Sequence, residues 1–165
     1  MTQRSGDHTP VLKVELKRVT VPELVSADPV LAASPAVKLL GVPLLSQGTL
    51  RRFADRSVLM QQGEEGDSLF VVLVGEVRVL ARRDHDSVEL GVAQRGDVVG
   101  VSEARAGGAR RCSVVAQGQV DVVELPRALL LSGATLPPAL DAFLSHEERR
   151  RAQALDEMSD FLNRW

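Results

Sequence analysis

The chain reads as a mainly β protein with flanking helices, its strands arranged antiparallel in a sandwich or barrel. Three observations carry this. Between Thr49 and Leu125, short runs rich in Val and Leu alternate with turns bearing Gly or Asp. That rhythm belongs to antiparallel strands rather than to alternating β and α units. Ahead of the runs, Asp28-Pro29 and Ser34-Pro35 each set a capping oxygen before a proline, whose missing N–H costs nothing in a first helical turn. Behind them, Pro126 closes the strands and helical apolar spacing takes over.

Taken in order, residues 11–17, "VLKVELK", alternate Leu12, Val14 and Leu16 with Lys13, Glu15 and Lys17. This is the period of a half-buried strand or of an extended arm. "PAVKLL" stops at Gly41, suited to the position just past a helix end. Eight strand candidates follow: "TLRRF", "SVLMQ", "SLFVVLV", "EVRVLAR", "SVELGVA", "DVVG", "CSVVA" and "QVDVVEL". Gly63, Gly66-Asp67, Gly75, Gly96-Asp97, Gly107-Gly108 and Gly118 punctuate them. "RALLLSG" is a short helix or turn, and Thr135 caps a helix opening near Pro137 and Pro138. That segment buries Leu140, Phe143 and Leu144, turns polar through "SHEERRR", and resumes apolar spacing at Leu155, Met158, Phe161, Leu162 and Trp165, as one long helix or as two segments meeting near the polar stretch. The expected division is 1–43 for an N-terminal arm and helices, 44–126 for the β-roll, and 127–165 for C-terminal helices.

The totals narrow the function classes. With 165 residues, 44% hydrophobic and 25% charged, the chain can bury one domain's core. No apolar run approaches the ~20 residues of a membrane span, so no membrane partner is expected. One cysteine, Cys112, forms no internal disulfide and fits a reducing, cytoplasmic setting. A net charge of −2 argues against direct DNA binding, which needs a broad basic surface. Histidines occur only at His8, His85 and His146, too scattered for a metal-dependent β-roll enzyme. No nucleophile–base pair is legible either, and the expectation is a non-enzymatic protein.

Chemistry concentrates in "RGDVVGVSEARAGGARRCSVVA". Two-residue alternation places Arg110, Cys112, Val114 and Ala116 on one face, and Arg111, Ser113 and Val115 on the other. The first face is apolar beyond its leading residue, so Arg110 points inward and needs a carboxylate or a bound anion. The loop from Gly100 to Gly108 can offer backbone amides at close range, and arginine with amides is a recurrent phosphate seat. Glu103 or Asp97 can instead neutralise Arg110 from within. Arg111 reads as solvated, Cys112 as a small core residue, and Arg149 to Arg151 as a solvated helix face.

"VLMQQGEEGDSLFVVLVGEVRVL" resembles the first half of the cyclic nucleotide-binding domain of catabolite activator protein and kinase regulatory subunits. Gly63, Gly66, Asp67, Leu69, Gly75 and Val77 fall on its motif positions. The later stretch is similar to that family's phosphate-binding cassette without a gap: Gly96, Asp97 and Gly100 open it, Arg110 falls on its phosphate-binding arginine, and Ser113-Val114 fall on its Thr/Ser-Val. The resemblance covers Leu44 to Pro126 and implies an antiparallel double-stranded β-helix, or jelly roll, with a regulatory role. It also implies cyclic AMP or cyclic GMP as ligand, held by Gly100, Glu103, Arg110, Arg111, Cys112 and Ser113.

The family's Phe-Gly-Glu reads Val99-Gly100-Val101 here, and Ala109 replaces its proline. Its glutamate bonds the ribose 2′-hydroxyl, which valine cannot do. Loss of one charged hydrogen bond weakens binding about ten- to a hundredfold. Two readings follow. In one, a cyclic nucleotide is sensed with its phosphate on Arg110. In the other, the pocket is empty and the domain binds a protein partner or a second copy through its C-terminal helix, with Trp165 as an interface anchor.

Overall fold

The computed structural model describes residues 20–130 and 138–163, with the side chains of 158–163 left out. The alternating stretch at 11–17, the cap at Thr135, the side chains of Met158, Phe161 and Leu162, and Trp165 lie outside the described residues.

Among the described residues, four short helices come first: α1 (Val21–Ala27), α2 (Pro29–Ala33), α3 (Pro35–Leu40) and α4 (Val42–Gln47). The capping pairs work as their chemistry predicts. The Asp28 carboxylate accepts from the Val30 amide at 2.9 Å and the Ser34 hydroxyl from the Val37 amide at 3.3 Å. Ser34 also donates to the Gly96 carbonyl at 2.6 Å, pinning α3 to the roll.

The strands are β1 (Thr49–Phe53), β2 (Val58–Met60), β3 (Ser68–Arg83), β4 (Asp86–Gln94), β5 (Val98–Val99) and β6 (Ser113–Pro126). They form one antiparallel sheet in the order β1-β6-β3-β4, with β2 on β6 and β5 on β3; it does not close. Among the described residues the strands are six, not eight, because two expected breaks are absent. "SLFVVLV" and "EVRVLAR" are one strand running through Gly75, and "CSVVA" and "QVDVVEL" one strand running through Gly118. At both glycines φ is positive (84° and 74°), so the chain bends without leaving the ladder.

The bend at Gly75 has a further effect. Before it, Leu69, Val71 and Leu73 face a core shared with the helices, while Phe70 and Val72 face the interior of the roll. After it, Val77 and Val79 occupy that interior, so the parity has switched. An inserted residue does this, and the β3–β6 register shifts between Val72 and Glu76. β6 keeps one parity throughout, with Val114, Ala116, Val120 and Val122 inward.

A second correction concerns the Gly-bounded loop. Gly100 to Gly108 contains a helix, α5 (Val101–Ala106), between Gly100 at φ 84° and Gly107 at φ 72°. Then come α6 (Arg127–Leu130) and α7 (Pro138–Asn163), a single helix of 26 residues running straight through the polar stretch. Leu140 and Leu144 anchor α7 in the helical core, with Phe143 packed beside them.

Candidate functional site

Arg110 enters the roll where α5 returns to β6. The turn after β2 holds it by backbone. The Arg110 amide donates to the Glu64 carbonyl and the Gly63 amide donates to the Arg110 carbonyl, both at 2.8 Å; the Gly66 amide donates to Gly108 at 2.9 Å. With the main chain clamped, the side chain has one direction to take. Its guanidinium lies so close to Gly66 that a Cβ there would fall 2.2 Å from Nε, and a Cβ on Gly100 would fall 2.9 Å from Nη1. The two glycines are therefore walls of the arginine's slot, where any side chain would collide with the guanidinium.

Inside the slot the guanidinium is held at both terminal nitrogens. Nη1 donates to Glu103 Oε1 at 3.0 Å and to the Gly100 carbonyl at 3.4 Å, and Nη2 donates to Ser68 Oγ at 3.3 Å. The Arg110 and Glu103 side chains are 5% and 7% exposed. Cζ stands 6.0 Å from the centre of the Phe70 ring, at the edge of cation–π range. Ser68 passes the connection on, donating to Glu124 Oε2 at 2.7 Å, and Glu124 Oε1 accepts from Arg51 Nη1 at 2.8 Å. A hydrogen-bonded chain thus runs from Glu103 on α5 through Arg110, Ser68 on β3 and Glu124 on β6 to Arg51 on the edge strand β1.

Beside the slot, a cavity of about 40 Å³ lies between the roll and α7. Its wall includes Gly100, Glu103, Arg111 and Cys112 from the roll, and Arg151 and Leu155 from α7. Cys112 is half-buried; burial raises its pKa, as does the nearby Glu103 carboxylate, against a weaker opposite pull from Arg151, Arg110 and Arg111. The thiol therefore stays protonated beyond its ordinary range.

Of the six residues singled out from sequence, five meet at the slot or the cavity. Ser113 does not: its hydroxyl accepts from the Gln62 amide at 2.9 Å and braces the turn after β2. Sequence reasoning missed Ser68 and the α7 wall. Sequence pattern groups Arg151 with a solvated face, yet of that run only Arg149 and Arg150 are exposed; Arg151 is half-buried against the roll. The signal was available in the spacing of Leu144, Glu148, Arg151 and Leu155, which a helix brings onto one face.

Among the described residues, no His, Cys, Asp or Glu group could hold a metal ion, and no helix is long and apolar enough to cross a membrane.

The same arrangement of strands recurs in solved structures. Catabolite activator protein from Thermus thermophilus superposes with a TM-score of 0.62 at 24% identity, over 79% of this chain and 63% of that one. The regulatory subunit of a cAMP-independent protein kinase A from Trypanosoma brucei gives 0.63 at 22%, over 78% and 48%. Its counterpart from Trypanosoma cruzi, bound to guanosine, gives 0.62 at 21%, over 80% and 48%. The chain spans about half the length of these kinase subunits, and at such identities the likeness is one of fold. No curated protein matches in sequence. The sequence profile of the cyclic nucleotide-binding domain does match, over residues 50–133. That is just over half of the chain and includes the turn after β2, α5 and the inward arginine, so this protein belongs to the cyclic nucleotide-binding domain family.

Proposed function

We propose that this chain is a non-enzymatic regulatory domain whose anion seat is filled by its own Glu103. It acts through contacts made by its helices, with a protein partner or a second copy, rather than by sensing cyclic AMP or cyclic GMP. The observation that carries this is the Glu103 carboxylate 3.0 Å from the buried Arg110 guanidinium. A buried arginine requires one counter-charge, and here the chain supplies it. No buried side-chain nitrogen or oxygen among the described residues lacks a hydrogen-bond partner, so nothing in the slot waits for a ligand.

Two further features support the reading. Val101, at the position of the family's ribose-binding glutamate, is buried and offers no acceptor. The adjoining cavity of about 40 Å³ is far below the roughly 300–1,000 Å³ of a typical small-molecule pocket. The reducing, cytoplasmic setting inferred from one unpaired cysteine suits such a domain.

The sensor reading, with a cyclic phosphate displacing Glu103, has one feature in its favour: the inward arginine is retained. Calorimetric titration of the full chain with cyclic AMP and cyclic GMP separates the two. The expected result is no saturable heat up to about 1 mM ligand, a limit corresponding to about −4 kcal/mol. Micromolar binding that Arg110→Lys abolishes would establish the sensor instead.

A further inference from the structure

The N-terminal helices cover only part of the sheet face they pack on. Val71 of β3 and Val123 of β6 are fully buried there. Leu50, the β1 partner of Val123, shares that face and is 39% exposed. Val74, the β3 partner of Asp121, is 40% exposed. Both line a groove of about 690 Å³, walled by Thr20 and Leu24 at the start of α1 and following β1 from Gly48 to Arg52.

The charged groups of this groove are already paired. Arg52 meets Asp121 through two hydrogen bonds, at 2.7 and 2.9 Å, and Arg51 meets Glu124 at 2.8 Å. The Thr20 and Ser46 hydroxyls donate within their own helices. Few polar groups are left to orient a small ligand, whereas an extended apolar segment needs only exposed side chains and a backbone edge. Such an edge is present. Among the described residues β1 pairs with β6 alone, so its outer row of N–H and C=O groups is open to a further strand.

The chain carries a segment that matches. Residues 11–17, outside the described residues, alternate Leu12, Val14 and Leu16 with Lys13, Glu15 and Lys17. Leu16 is four residues from Thr20 and therefore within about 14 Å of the groove's rim. A tether this short holds the segment at an effective concentration of about millimolar order. Charge agrees with the fit. The face of β1 opposite Leu50 carries Arg51 beside Glu124, 43% and 27% exposed. With the apolar residues turned to Leu50, alternation sets Glu15 and its flanking lysines on the face of that ion pair.

We propose that residues 11–17 seat in this groove as a strand added to the free edge of β1. Leu12, Val14 and Leu16 lie on the face that carries Leu50, and Lys13, Glu15 and Lys17 on the face that carries Arg51. The segment covers an open sheet edge and completes the apolar face that the helices leave bare. Arg110 and Glu103 take no part.

The test is oxidative cross-linking of the full chain carrying Cys112→Ser, with Leu50→Cys combined in turn with Leu12→Cys, Lys13→Cys, Val14→Cys, Glu15→Cys and Leu16→Cys. A disulfide needs Cβ atoms about 3.5–4.5 Å apart, so it should form within one chain from an even-numbered position and not from the odd-numbered ones. Hydrogen exchange supplies a second measure. Leu12→Ser, Val14→Ser and Leu16→Ser together should speed exchange of the Thr49–Phe53 amides while leaving the β3–β4 hairpin unchanged. The gain should be about tenfold or more, the worth of one buried aliphatic side chain. Equal cross-linking from odd and even positions, none from any, or β1 exchange untouched by the triple change would overturn the proposal. So would disulfides between chains, which would seat a second copy's segment in the groove instead.

Discussion

Arg110 and Glu103 form a pair in which neither member can be removed cheaply. Both are out of water, and deletion of one leaves the other as an unpaired buried charge, at a cost of about 3–5 kcal/mol. Glu103→Ala should therefore lower the unfolding free energy by about that amount, read from denaturant midpoints at constant slope. Formate at tens of millimolar should recover part of the loss in the variant and none in the parent, because it restores a carboxylate of the right size beside Nη1. A variant as stable as the parent would mean that Ser68 and the Gly100 carbonyl suffice for the guanidinium. Alternation in "RRCSVVA" revealed that Arg110 turns inward, and the short separation to Glu103 made that glutamate one of two named candidates for its partner. Ser68 and Gly66 were not legible as its neighbours. Ser68 opens β3 and Gly66 lies in the turn before it, and the contacts that bring that segment to the slot are non-local: Glu65 bridges Ala109 and the Gly66 amide donates to the Gly108 carbonyl.

Gly75 shows why turn signals overcounted the strands. In sequence, a glycine between Val74 and Glu76 resembles a turn; in the sheet it is a bulge that keeps β3 paired to β6 while exchanging the faces of its side chains. The hydrophobic pattern contained the clue, since inward positions are even before the glycine and odd after it, but only pairing distinguishes a phase change from a break. Gly75 and Gly118 supply a matched comparison. Both have positive φ, yet a Cβ at Gly75 would sit 2.4 Å from the Gln119 carbonyl oxygen, whereas one at Gly118 would meet nothing within 4 Å. Gly118→Ala should cost only the left-handed backbone strain, about 1–3 kcal/mol. Gly75→Ala should cost that and an overpacking penalty of about 1–3 kcal/mol besides. Equal losses in urea titrations would show that the bulge relaxes around the added methyl. The short helix α5 escaped sequence reading for a related reason: with six residues between glycines it lacks the length for periodicity to register.

Across the molecule, α5 is the part that touches both the slot and the long helix. Glu103 faces Arg110 on one side, while Arg105 on the same helix grips α7, donating to Ser145 Oγ at 2.7 Å and to the Asp141 carbonyl at 3.3 Å. Arg105 also pairs with the Asp141 carboxylate at 3.0 Å. Farther up, α7 rests on the roll through Arg151 and Leu155 at the cavity, with no buried apolar anchor beyond Leu144 among its described side chains. The first two turns of α7 therefore share the stability of the core, and its later turns depend on polar contacts that open at lower free energy. Arg105→Ala removes several charge-assisted bonds at once. Hydrogen exchange of amides from Glu147 to Leu155 should accelerate about tenfold, the effect of losing one charged contact's worth of free energy. Exchange in β3 and β6 should stay unchanged, because those strands open only with the whole domain. Acceleration spread evenly through the roll would mean that α7 and the sheet form one cooperative unit. Confinement to α7 would mean that the helix moves on a folded base, as a regulatory contact acting through this helix requires.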